Sequence, residues 1–207
     1  MPDTKTHIWM VTAVALLLSS LAGCASLSGK EDGFVLPAQP PLSLETNVLK
    51  PGLAVLYFKH HFVRSLDQLP QGKEARERGF SGPPITYLNH NFGRANVFGS
   101  GANRGIALEL SGYIRLEQPG TYAFQANSND GFRMYIGDRL LIDDPDWHSD
   151  RLSPEAQFAV AEPGWYSLRM RYFQRKGTAT LQLYWKPPGA EHFAIVPAKA
   201  LAHQQTY

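Results

Sequence analysis

Between Gly164 and Trp185 the chain alternates. Tyr166, Leu168, Met170 and Tyr172 take every second position, with Ser167, Arg169 and Arg171 between them, and Ala179, Leu181, Leu183 and Trp185 repeat the pattern in TATLQLYW. A period of two sends successive side chains to opposite faces of an extended chain, so each run has one face to bury. On a helix the same residues would be scattered around the axis. The alternation recurs in LAVLYF, residues 53–58, in Ile106, Leu108 and Leu110, and in the two runs of YIRLEQPGTYAFQA, which Pro119-Gly120 divides as a turn dipeptide. The 18 glycines and 15 prolines supply turns about every ten residues. The expected fold is all-β, an antiparallel sandwich or barrel.

The length of 207 residues suits one well-buried domain. At 43% hydrophobic and 18% charged residues the composition is that of a globular chain. With one cysteine no internal disulfide is possible, so the core must supply the stability. The net charge of +2, without a basic run or basic-aromatic interleaving, points away from nucleic acid. The start of the chain reads as a targeting segment: Lys5 and His7 precede an apolar stretch from Ile8 to Leu21, too short to span a bilayer. It ends in Leu21-Ala22-Gly23-Cys24, which resembles a bacterial lipoprotein signal with the cysteine as the lipidated new N-terminus. That resemblance implies a short signal helix over 1–23, membrane attachment through lipid on Cys24 and, with Ala25 rather than Asp following, the outer membrane, facing the periplasm or the cell surface. Residues 24–50, with Pro37, Pro40 and Pro41, read as an extended tether reaching on the order of 80 Å. The sandwich is expected over 51–201 and a tail over 202–207.

Within the folded part, SNDGFRMYIGDRLLIDD, residues 128–144, concentrates carboxylates. Phe132–Ile136 and Arg139–Asp143 read as a hairpin, with Gly137-Asp138 suited to a type II′ turn. That register sets Ile136 opposite Arg139, Met134 opposite Leu141 and Phe132 opposite Asp143. Asp143 and Asp144 then point to opposite faces and cannot converge on one substrate as a general acid and base, which need carboxylates roughly 5–9 Å apart. Other stretches are less informative. QLPQGKEARERG, residues 68–79, reads as a solvated loop, with a short exposed helix the alternative. LNHNFGRANVFGSG, residues 88–101, reads as a long loop without a phosphate-binding pattern.

The chain resembles the protective-antigen, or "PA-fourteen", domain family, a β-sandwich found in anthrax protective antigen, bacterial glycosidases and yeast flocculin adhesins. The matching stretches are Gly52-Leu53 through Tyr57-Phe58, PGTYAFQANSNDGFRMYIGDRLLID, PGWYSLRMRYFQRKGTATLQLYW, and Val196-Pro197. In the family's sugar-binding members an Asp-Asp pair after the first strand of the central motif holds calcium, with an Asn and backbone carbonyls from a later loop, and the ion binds sugar hydroxyls. Here the pair position is Asn129-Asp130, and the later Asn position falls near Gln174, followed by Arg175 and Lys176. Calcium takes six to eight oxygen ligands. The lost carboxylate and the two added cations weaken such a site, which leaves Asp130 as a calcium candidate and Asn129, Asp130, Gln174 and Arg175 as calcium-free ligand contacts. The plain structural role of Asn129-Asp130-Gly131 is a turn.

PDWHSD, residues 145–150, reads as a loop whose Asp146, His148 and Asp150 fall short of a metal shell and whose Trp147 either stacks on a sugar or closes the sandwich end. There is no nucleophile elbow and no cysteine nucleophile once Cys24 is lipidated. The expectation is therefore a lipid-anchored envelope protein that binds cell-wall or extracellular glycan without catalysis and without an obligate cofactor. The alternative is an assembly lipoprotein whose sandwich docks on another envelope protein.

Overall fold

A computed structural model describes residues 40–45, 48–59 and 61–204. The signal segment, Cys24 and most of the expected tether lie outside the described residues. The strands follow in chain order. The first five are β1 (Leu49–Pro51), β2 (Leu53–Lys59), β3 (Phe80–Ile85), β4 (Asn89–Gly93) and β5 (Ile106–Leu116). Next come β6 (Gly120–Asn129), β7 (Phe132–Ile136), β8 (Arg139–Asp144), β9 (Arg151–Leu152) and β10 (Ala156–Val160). The last are β11 (Gly164–Gln174), β12 (Ala179–Lys186), β13 (Ala194–Ile195) and β14 (Leu201–Gln204). Among the described residues one α-helix, α1, spans Gly72–Arg78.

The strands make two antiparallel sheets. The larger runs β1-β14-β5-β11-β7-β8, with β2 on the remaining length of β5 and β3 beyond it. The smaller runs β10-β6-β12-β13, with β9 and β4 filling the edges of β6 and β12. The sheets stay separate, so the fold is a sandwich and not a closed barrel. The alternation seen in the sequence sets which face is buried. Tyr166, Leu168, Met170 and Tyr172 of β11 meet Leu181 and Leu183 of β12 in one core, which also holds Phe124, Phe132 and Phe158. At about 25 cal/mol per Å² of apolar surface, burial of this kind is the main favourable contribution to the fold.

The hairpin departs from the simple register. Gly137 has φ +60°, as the type II′ turn needs, and Ile136 pairs with Arg139 as expected. Between Met134 and Tyr135 the register shifts, so Met134 pairs with Ile142, Arg133 with Asp143 and Phe132 with Asp144. Leu141 is the extra residue of a β-bulge. The bulge carries Ile142 into the core and brings Asp143 against Arg133, whose Nε donates to Oδ1 at 2.6 Å. In the bulge-free register Asp143 would have faced the buried Phe132.

Three further expectations are corrected. Residues 72–78 form a helix rather than a loop: Ala75 is buried in a second apolar cluster with Leu66, Leu69, Phe58 and Phe173, and the Lys73–Glu77 and Glu74–Arg78 pairs lie at i,i+4. Residues 88–101 open with a strand, because β4 completes the edge of β12. The folded part is wider than 51–201: Lys50 pairs with His203 between β1 and β14, and β14 pairs on to β5. Just before it, Leu42 N donates to Trp165 O at 2.8 Å, so this part of the expected tether is docked.

Candidate functional site

The chain crosses from one sheet to the other between β6 and β7. Asn129 pairs with Thr180 in the smaller sheet and Phe132 with Tyr172 in the larger. The crossing is stitched to β11: Asp130 N donates to Phe173 O at 3.0 Å, and Phe173 N donates to Gly131 O at 3.1 Å. The Asn129–Asp130 peptide is cis. A Cβ on Gly131 would lie 2.5 Å from Pro145 O and 2.6 Å from the Phe173 ring, so no side chain fits there.

The Asp130 side chain is 4% exposed and ties two loops together. Its Oδ1 accepts from His148 N at 3.2 Å and its Oδ2 from Arg175 N at 2.6 Å. These are the loops after β8 and after β11. Burial pushes the Asp130 carboxyl above its ordinary value of 3.8, against the lowering effect of the two N–H donors and of the nearby His148 and Arg175 charges. Asn129 is buried too, and its Nδ2 donates to Thr178 Oγ1 at 3.3 Å. Nearby, Asp144 receives Nε and Nη2 of Arg151 as a two-point pair. His148 Nε2 lies 3.2 Å from Asp144 Oδ2 but without a hydrogen-bonding angle.

Above this buried network Trp147 is 55% exposed. The guanidinium groups of Arg64 and Arg175 sit 5.9 and 6.0 Å from its ring centre, within the range of cation–π attraction. Trp147 N donates to Arg64 O at 2.9 Å, and Arg175 Nε to Phe62 O at 3.3 Å. Four of the expected contacts, Asn129, Asp130, Trp147 and Arg175, therefore meet at one end of the sandwich. Gln174 does not join them. It continues the even-numbered, core-facing row of β11, is fully buried, and its amide nitrogen and oxygen have no hydrogen-bond partner. Sequence reading missed Arg64 and Phe62. Their one signal was position: they follow β2, whose end lies beside the start of β5.

This donor set does not fit calcium. Asp130 is the one carboxylate of the pair and each of its oxygens already takes a backbone N–H, Asn129 is an amide with its Nδ2 turned to Thr178, and the neighbouring charge is a guanidinium. A calcium ion wants several anionic oxygens free to converge. Among the described residues no group of three or more His, Cys, Asp or Glu side chains is placed to hold a metal, and that includes Asp146, His148 and Asp150.

Comparison with known proteins places the fold. A family model described as PA14 domain matches residues 87–199, more than half of the chain. The chain belongs to the PA14 domain family. Solved structures agree on the sandwich. The A domain of Epithelial Adhesin 9 from Candida glabrata, in complex with Galb1-4GlcNAc, is 13% identical at a TM-score of 0.60 and covers 82% of this chain and 96% of its own. A PA14 sugar-binding domain from an RTX adhesin is 17% identical at a TM-score of 0.58, covering 74% and 98%. An anti-sigma factor domain-containing protein from Clostridium clariflavum is 20% identical at a TM-score of 0.59, and the match spans 76% of this PA14 chain but only 49% of that protein, about half its length. A search of curated protein sequences finds no match.

Proposed function

We infer that this PA14 protein is a non-catalytic glycan-binding module of the bacterial envelope, held at the outer membrane by lipid on Cys24. The observation that carries the reading is Trp147, 55% exposed at the loop end of the sandwich and flanked by Arg64 and Arg175. A half-exposed indole offers a flat apolar face to sugar C–H groups, and its flanking donors serve ring hydroxyls. Asp130 stays out of contact with ligand and holds the two loops that present the platform. The adhesin domains with the same fold, one solved with a disaccharide and one described as sugar-binding, support the reading. No metal is assigned a part in it.

The test is a glycan array probed with the purified chain. Binding that drops by about tenfold or more in Trp147→Ala, with the circular dichroism spectrum unchanged, is expected. Equal binding by that variant, or no binding by the wild type, removes the reading. The anchor has its own measurement: labelled fatty acid should enter the wild-type chain in cells and be absent from Cys24→Ser. A second reading, docking on another envelope protein, is favoured by the misfit of the donor set to calcium. Crosslinking in membranes that recovers one stoichiometric protein partner, through Trp147, would support it over glycan.

A further inference from the structure

The loop end of the sandwich is also where unbalanced charge collects. Residues 61–65, 93–105 and 174–178 contain no Asp or Glu, and they contribute Arg64, Arg94, Arg104, Arg175 and Lys176. Against these five cations the 145–150 loop sets Asp146 and Asp150. With the buried Asp130 beside Arg175 counted as well, the excess at this end is two, equal to the net +2 of the whole chain. Among the described residues none of the five is in an ion pair. Elsewhere some cations are matched, Arg133 by Asp67 and Asp143, Arg151 by Asp144 and Arg171 by Glu109, and others such as Arg139 and Arg169 are not; what marks this end is the gathering of five cations on adjoining loops.

These cations belong to one surface. Arg94, Asn103, Arg104 and Gly177 line a cleft of about 330 Å³. Asn103 Nδ2 donates to Arg94 O at 3.0 Å, and Gly105 N to Arg175 O at 3.0 Å, which joins the cleft to the Trp147 platform. The strip therefore runs from a cleft with two guanidinium groups, past Arg175 and Lys176, to an exposed indole with Arg64 also beside it.

We propose that the ligand of this end is an acidic glycan, a chain of carboxylate-bearing sugars of the uronic acid class, with Trp147 stacking on a ring while Arg175, Arg94 and Arg104 bind successive carboxylates. The proposal rests on the glycan-binding reading above. Guanidinium groups match carboxylates in a planar, two-point geometry, and like charges held together on a rim gain from a polyanion that separates them. A phosphodiester polymer fits less well, because it offers fewer hydroxyls to Asp146 and Asp150, which beside Trp147 can accept hydrogen bonds from the hydroxyls of a stacked sugar ring.

The experiment is calorimetry of the full chain with oligogalacturonate, with the same oligomer after reduction of its carboxyl groups, with single-stranded DNA and with anionic phospholipid vesicles. The uronate oligomer is expected to bind most tightly and to weaken as salt is raised, with the reduced oligomer weaker by about tenfold or more. The Arg94→Gln, Arg104→Gln, Arg175→Gln triple variant should lose affinity for the acidic oligomer and keep what remains for the neutral one, while Trp147→Ala should lose both. Arg94, Arg104 and Trp147 are exposed and Arg175 is half-buried, so circular dichroism with urea unfolding checks that the variants stay folded. Equal binding of the acidic and neutral oligomers overturns this inference and leaves the glycan reading standing. Tighter binding of DNA or vesicles than of uronate also overturns it, in favour of a phosphate ligand. Absence of binding to every glycan overturns both.

Discussion

Asp130 uses its carboxylate on two backbone N–H groups from loops that are 27 residues apart in the chain, His148 and Arg175. In that arrangement it braces the two loops. Its buried carboxyl is held above the ordinary 3.8, which has a sign that can be checked. The native state keeps the Asp130 proton at pH values where the unfolded chain has lost it. The contribution of this group to stability is therefore fully present below about 3.8 and is lost as pH rises through the native value. Carboxyl titration by NMR should place the Asp130 midpoint above 3.8, and a midpoint below that value would contradict the burial argument. Gly131 is the second residue where geometry leaves no choice. Gly131→Ala should cost about 1–3 kcal/mol in urea unfolding, because the methyl would meet a backbone carbonyl and a buried ring rather than a movable side-chain tip.

At the scale of elements, Arg171 shows how a charged residue in an alternating strand finds use. It lies on the face of β11 opposite the main core, yet it is 3% exposed, with the 66–70 segment over it. Its Nη1 and Nη2 donate to Leu66 O at 3.4 Å and Pro70 O at 2.6 Å, and Nε lies 3.6 Å from Glu109 Oε2. Desolvation lowers its pKa, against the raising effect of Glu109. Arg171→Ala should destabilise the protein by about 3 kcal/mol, since two carbonyls and a carboxylate lose their donor. The specific readout is hydrogen exchange: the amides of Leu66 to Leu69 should lose protection more than those of β12. The hairpin teaches the complementary point. Its turn was legible from Gly137-Asp138, but its bulge was not, because the choice of Leu141 as the extra residue depends on Arg133 and on the core on either side.

At the scale of the whole molecule, both sheets share one apolar cluster, and neither buries its inner face alone. Unfolding should be a single transition, with tryptophan fluorescence and far-ultraviolet circular dichroism coincident in urea. Phe158→Ala, in the edge strand of the smaller sheet and fully buried, should lower stability by about 3–5 kcal/mol without splitting that transition. Two separated transitions would mean that the sheets fold independently. The loop end adds an electrostatic prediction at the same scale, the salt-sensitive binding of an acidic glycan.

Read along the chain, the sequence marks out β2, β5, β6, β7, β11 and β12, their buried faces, the hairpin turn and the family resemblance, but not β1, β4 or β14. All of these rest on period and on local turn chemistry, which neighbours in the chain decide. It also brought forward Asn129, Asp130, Trp147 and Arg175, because a family pattern and an unusual tryptophan mark them. Where those side chains end up depends on packing. Asp130 is taken up by N–H donors from two distant loops, Gln174 turns inward with its row, and Arg64 joins Trp147 from before the helix. Loops separated along the chain meet only after both sheets have packed, so burial, pairing and the collected charge of the sandwich end belong to the folded molecule.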